Sequence, residues 1–218
     1  FLCEVSLKIP GAQRITGKPA HMRIFWYYLG LGVFLLAIYA CARRNEKHKD
    51  CRETADLCVS RRKKRLQGIV FSCFIAFLLL FLLFPQKKSF EIDFLDVGQG
   101  DGIYLCTGGG TSMFIDGGST DVKQVGKYRI LPFLKAKGVS EISYWFVSHT
   151  DTDHVSGLKE VLVSGYRVEY LVFAKAVEKE AKTKELAELA RSHGTKVLYM
   201  QAGDTVRSKR AAMRCLYP

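Results

Sequence analysis

The stretch that most constrains the fold runs from Tyr144 to Gly157: Tyr-Trp-Phe-Val-Ser-His-Thr-Asp-Thr-Asp-His-Val-Ser-Gly. It opens with apolar residues of high strand propensity, then breaks into a polar loop holding two histidines and two aspartates. A helical pattern follows from Val155 to Val163. Strand, ligand-rich loop and helix in that order is how α/β proteins present chemical groups at the carboxyl end of a strand. In an extended loop His149 and Asp151, two apart, point the same way. Asp153 and His154 are adjacent, so they diverge and serve either a second ion or the far side of the first. Imidazole and carboxylate donors suit zinc, manganese or iron. The plainer alternative is a solvated acidic loop with an aspartate capping the helix.

The residues around this stretch read as layered α/β structure. Phe90–Leu95 alternates in part and reads as a strand. Asp96–Gly102 is a Gly-rich turn. Strands at Ile103–Cys106 and Met113–Ile115 are joined by Gly108-Gly-Gly110, as in a hairpin. Leu131-Pro132 begins a helix with proline in its first turn. Ile142–Val147 is the strand leading into the loop. Val168–Phe173, the helix Glu178–His193 closed by Gly194, and the strand Lys196–Met200 complete two further strand–helix–strand units.

The first 88 residues have a different character. Ile24–Ala42 is 19 residues without a charge, roughly 28 Å as a helix, about the thickness of a bilayer's hydrocarbon. Trp26, Tyr27 and Tyr28 cluster at its start like an interfacial belt. A second apolar run of 17 residues, Gly68–Phe84, is short for a span, so its flanking lysines are expected to snorkel. Between the runs, residues 43–66 carry ten Lys or Arg against four acids, ending in Arg61-Arg-Lys-Lys-Arg65. The net charge of +12 divides as +3 over residues 1–23, +6 over 43–66 and +3 over 85–218. Half of the excess therefore sits in one short segment, which makes overall charge a poor argument for nucleic-acid binding. Wedged between spans, this segment reads as a positive-inside loop in the cytoplasm with both flanks outside. The expected organisation is a membrane segment 1–88 (connector 1–23, helix about 24–42, basic loop 43–66, helix about 67–84) followed by a domain over 89–218. Phe1 is not methionine and no signal peptide leads the chain, so it reads as a piece of a longer protein. The seven cysteines form no Cys-x-x-Cys and no zinc-ribbon spacing.

The motif His149-x-Asp151-x-Asp153-His154 resembles the metal-binding signature of the metallo-β-lactamase superfamily, with Asp151 in place of that signature's second histidine. Together with Phe94-Leu-Asp-Val-Gly-Gln-Gly-Asp101 and Ile115-Asp-Gly-Gly118 upstream, it is similar to the ComEC family of bacterial competence proteins. That resemblance implies the N-terminal half of an αββα metallo-β-lactamase sandwich, preceded by two transmembrane helices. It also implies a multi-pass protein of the bacterial cell membrane with the C-terminal domain outside, handling incoming DNA. Partners would be DNA, the membrane, other competence or channel components, or further copies of the chain. By the family pattern His149 and Asp151 hold one divalent ion. Asp153 and His154 hold a second, with Asp153 close to the attacking water. An aspartate in the second position favours manganese over zinc. Asp116 is expected to support the loop, and Asp101 either to orient a ligand or to close a turn. The family supplies further ligands from a later aspartate and a His-His-Gly-Ser-like segment. Nothing after His154 matches these, and Asp204 is not the later aspartate. The expected site is therefore incomplete within residues 1–218.

Two other readings compete. The same fold can serve as a non-catalytic docking or structural module of a transport channel. A phosphatase of the haloacid dehalogenase type would instead use Asp151-x-Asp153 directly after a strand, but Ser148-His149-Thr150 intervene. Lys123, Lys127 and Arg129 either line the approach to the loop or belong to a solvated loop.

Overall fold

The computed structural model describes residues 15–47, 57–83, 88–208 and 211–217. The chain divides into two compact units, one spanning Lys18–Pro85 and the other combining Phe1–Gly17 with Gln86–Pro218.

The first unit is a pair of helices, α1 (His21–Lys47) and α2 (Leu57–Leu83). Phe34 of α1 stacks on Phe71 and Phe74 of α2, with ring centroids 5.3 and 4.2 Å apart. Leu78 is buried, while Phe25, Leu36 and Leu80 point outward. Within α1, His21–Ala40 is a 20-residue stretch of mean hydropathy 1.5. Among the described residues it is the one helix long and apolar enough to cross a membrane; the apolar part of α2, Gly68–Leu83, is shorter. Helix boundaries differ from the expectation. α1 runs on to Lys47 and α2 begins at Leu57, so Arg61–Arg65 is helical rather than looped. Lys and Arg are good helix formers, and an apolar helix propagates readily into them.

The second unit is mixed α/β, built on a six-stranded sheet whose strands lie in sequence order. These are β1 (Glu91–Phe94), β2 (Gly102–Cys106), β3 (Ser112–Asp116), β4 (Glu141–Val147), β5 (Arg167–Ala174) and β6 (Lys196–Met200). β1, β2 and β3 form an antiparallel meander, whereas β3 to β6 are parallel. Each parallel step is made by a crossover: a π-helical turn Gly126–Ile130 with α3 (Leu131–Ala136), then α4 (Thr152–Val163), then α5 (Ala181–Ser192). Pro132 sits in the first turn of α3, where its missing N–H costs nothing.

The crossover helices share one core with the sheet. Val155, Leu158, Val161 and Leu162 give α4 a buried stripe at helical spacing, and Leu186, Ala187 and Ala190 do the same for α5. They pack with Tyr104, Phe114, Ile142, Trp145, Leu171 and Phe173 of the sheet. The opposite sheet face is also apolar. One row across the strands reads Phe94, Ile103, Ile115, Phe146, Val172, Leu198. The next holds Ile92, Leu105, Met113, Tyr144 and Tyr170, with Tyr144 stacked on Tyr170 at 5.2 Å. A short hairpin unforeseen in the sequence, β7 (Thr205–Arg207) and β8 (Ala212–Arg214), follows β6.

Candidate metal centre

Three turns meet where β3 and β4 end side by side, with Ile115 in register with Phe146. They are the turn 96–101, the turn 116–119 and the histidine–aspartate loop 148–154. Backbone hydrogen bonds fasten them. Asp101 N donates to Asp153 O and Gly118 N to Asp101 O, both at 3.3 Å, and Thr120 N donates to Gln99 O at 3.0 Å. Gly118 is required by this contact: a Cβ there would lie 2.4 Å from both Thr152 O and the carbonyl carbon of Asp153. Asp121 ties the turns further, accepting from Gln99 N and Ser119 Oγ at 2.7 Å each. The Ser119 hydroxyl first, and then Gln99 N, hold its carboxyl below the usual range.

Asp116 is the brace of the site. It is 4 % exposed and adopts a left-handed backbone with φ of +57°, a conformation that aspartate tolerates better than most residues. Its carboxylate accepts from Ser148 N at 2.8 Å and from Ser148 Oγ at 2.7 Å. Its carbonyl accepts from the buried Trp145 Nε1 at 2.6 Å. The same carboxylate lies 3.0 Å from His154 Nδ1. A carboxylate at Nδ1 favours the tautomer with the proton there, leaving the Nε2 lone pair free for a ligand role.

His154 is nearly buried and central. Its Nε2 lies 3.4 Å from Asp153 Oδ2, its Nδ1 lies 3.8 Å from Asp101 Oδ2, and its ring centroid is 3.7 Å from that of His149. Two groups of ligand atoms thus converge, each within a 4.8 Å span: His149, Asp153 and His154, and Asp101, Asp116 and His154. Two imidazoles and a carboxylate form a donor set that fits a borderline divalent cation such as zinc or manganese. Asp153 and His154, expected to serve either a second ion or the far side of the first, both lie in the group with His149. The reason is that α4 starts at Thr152, earlier than the apolar pattern suggested, so the two lie on a helical turn about 100° apart rather than on an extended chain.

Asp151 behaves differently. It occupies the N-cap of α4 but makes no side-chain cap hydrogen bond. Instead it accepts from Lys182 Nζ at 2.9 Å, and its Oδ2 is 3.9 Å from His149 Nε2. The lysine's hydrogen bond and charge hold the Asp151 carboxyl below its ordinary pKa, and the reciprocal bond raises that of Lys182. The phosphatase alternative needed this aspartate directly off a strand; β4 ends at Val147 and Asp151 is a helix cap instead.

No protein-family model matches the chain. Two curated relatives do. ComE operon protein 3 of Bacillus subtilis is 26 % identical over 178 residues, covering 74 % of this chain and 23 % of that protein. Recombination protein 2 of Haemophilus influenzae is 31 % identical over 106 residues, covering 48 % of this chain and 13 % of that protein. The chain is similar to ComEC-family competence proteins. It spans less than a quarter of the length of either of these proteins.

Within this ComEC-like chain, sequence reasoning named Asp101, Asp116, His149, Asp151, Asp153 and His154, and all six lie at the same end of the sheet. It missed Lys182, Ser148 and Asp121. The Lys182 contact spans 31 residues and leaves no local signal. Ser148 was legible only as part of the loop. Arg129, weighed as a lining of the approach, pairs with Asp96 at 2.7 Å. Asp204, set aside as a ligand, accepts from Gln201 N in a turn before β7.

Proposed function

We propose that the chain is part of a membrane protein for DNA uptake in competence, and that its α/β unit hydrolyses or handles a phosphodiester strand with the help of divalent metal. The observation that carries this reading is the convergence of His149, Asp153 and His154 on one span of 4.8 Å, with Asp116 behind His154. In this account His149, Asp151, Asp153 and His154 hold two ions, manganese or zinc, and Asp101 and Asp116 support them. Residues 1–88 are the membrane segment, crossing twice by α1 and α2 with the basic stretch 43–66 in the cytoplasm. Residues 89–218 then lie outside, as half of an αββα sandwich whose second apolar sheet face packs on a further sheet.

Divalent ions supply Lewis acidity, activating water near neutral pH and neutralising charge on a phosphodiester. The chain's own residues do the rest. Asp153, about one-third exposed on its side chain, accepts the proton of the attacking water. Asp116 fixes the tautomer and orientation of His154, and the interlocked turns hold Asp101 against the loop. The test is divalent-metal binding by the metal-stripped full chain in detergent, read together with its affinity for single-stranded DNA, because the ligand set expected for cleavage is incomplete within residues 1–218. The expected result is saturable Mn(II) or Zn(II) binding that strengthens binding of the strand and is lost in His149→Ala. No saturable binding of either ion by folded protein, or binding unchanged in His149→Ala, contradicts it. The second reading, a non-catalytic docking module of a channel, draws its support from the apolar second face of the sheet. Metal-free protein that folds fully and supports DNA uptake would favour it.

A further inference from the structure

The metal loop borders a groove between α4 and α5 with a volume of about 230 Å³. Thr150, Thr152 and Ser156 line it from the loop and α4, together with Lys159, and Lys182 and Glu185 line it from α5. The Thr150 and Thr152 hydroxyls make no hydrogen bond to another described group, and the Lys159 ammonium has no ion-pair partner among the described residues. Lys182 is the one described lysine or arginine within ion-pair distance of any of the six candidate site residues. The groove and the metal loop therefore share a single cation, held on Asp151 at 2.9 Å.

We propose that this groove is an anion subsite that takes a backbone phosphate of a single-stranded nucleic acid beside the metal loop, with Lys159 and Lys182 as its donors. The proposal rests on the phosphodiester reading above and adds how the strand is held. Charge selects the ligand class. Lys159 and Lys182 stand against the Glu185 carboxylate and the Asp151 carboxylate that holds Lys182; once Asp151 is neutralised one positive charge is left, which matches the single negative charge of a phosphodiester better than a dianionic monoester. Lys182 is shared between Asp151 and the groove. Its pair with Asp151 is exposed, with 69 % and 61 % of the side-chain surfaces accessible, and exposed pairs exchange readily. Whatever neutralises Asp151 frees the Lys182 ammonium for the phosphate, so strand and metal bind cooperatively through this one side chain.

The coupling can be read without metal. Full-length chain in detergent, with EDTA present, would be titrated against a fluorescein-labelled oligothymidylate by anisotropy. Lys159→Ala is expected to weaken binding about tenfold and to flatten the dependence of log Kd on log salt by about 0.7. Asp151→Asn, which releases Lys182, is expected to tighten binding about fivefold. That gain should vanish in Asp151→Asn combined with Lys182→Ala. Lys184→Ala, on α5 but outside the groove, should change nothing. Unchanged affinity in Lys159→Ala, or a gain from Asp151→Asn that survives loss of Lys182, overturns the proposal. Mn(II) binding by the same wild-type preparation separates the two readings. Manganese bound with no effect of these substitutions sinks the groove alone. The expected oligonucleotide pattern with no manganese bound sinks the metal reading and leaves the groove.

Discussion

At the α4 end of the histidine–aspartate loop, His154 is 9 % exposed, Asp116 stands 3.0 Å behind it, and three turns are bolted together by backbone hydrogen bonds. At the β4 end, His149 and Asp151 have 48 % and 61 % of their side-chain surface exposed, and Asp151 leans on an exposed lysine of another helix. One end is fixed by the fold. The other is held by contacts that a ligand can replace. The difference separates substitutions that should break the unit from those that should only empty its site.

The largest effect is expected at the fixed end. Gly118→Ala forces a methyl into the backbone of Thr152 and Asp153 and should cost about 1–3 kcal/mol or more, seen as a lowered melting temperature by circular dichroism. Asp116→Asn is the next step down. Asparagine tolerates the left-handed backbone and can still accept from Ser148 N, so melting should shift little. Metal affinity should nevertheless fall roughly 10–100-fold, because His154 loses its charged partner. An equal loss of folding would mean that Asp116 is structural only. At the open end, His149→Ala should lower metal affinity while leaving stability within about 0.5 kcal/mol; a large drop in melting temperature would contradict the comparison. The smallest effect concerns the Asp151–Lys182 pair. The Asp151 carboxyl is depressed by Lys182, so any stability it contributes is present above the ordinary carboxylate pKa of about 3.9 and is lost as pH falls through the lower folded value. Because both groups are exposed, Lys182→Ala should leave the melting temperature unchanged from neutral pH down to about 4.

The sheet was legible because its strands announce themselves by period and by turn chemistry. Gly108-Gly-Gly110 does join two antiparallel strands, and Tyr144–Val147 does lead into the loop. The start of α4 was misread because Thr152, Asp153 and His154 carry no apolar periodicity; that helix end is fixed by the Asp151 carbonyl, which accepts from His154 N and Val155 N, and by the interlocked turns. The hairpin β7–β8 is too short to leave a pattern. Arg61–Arg65 was placed in a loop because it lies between two apolar runs and was read as a positive-inside stretch, whereas lysine and arginine continue a helix at little cost. Lys182 was invisible because an ion pair between distant helices has no local signature. The candidate residues were picked out by type and spacing, but not which of them come together. Which side chains converge depends on where the helix begins and on what Lys182 holds.

The most direct test of the account is Co(II) titration of metal-stripped full-length chain, following the visible absorption bands that report nitrogen and oxygen donors. The account predicts saturable binding by the wild type that is lost in the double variant His149→Ala with Asp153→Asn, at unchanged melting temperature. No saturable binding by folded wild type, or the same bands in the double variant, would contradict a metal centre at this loop.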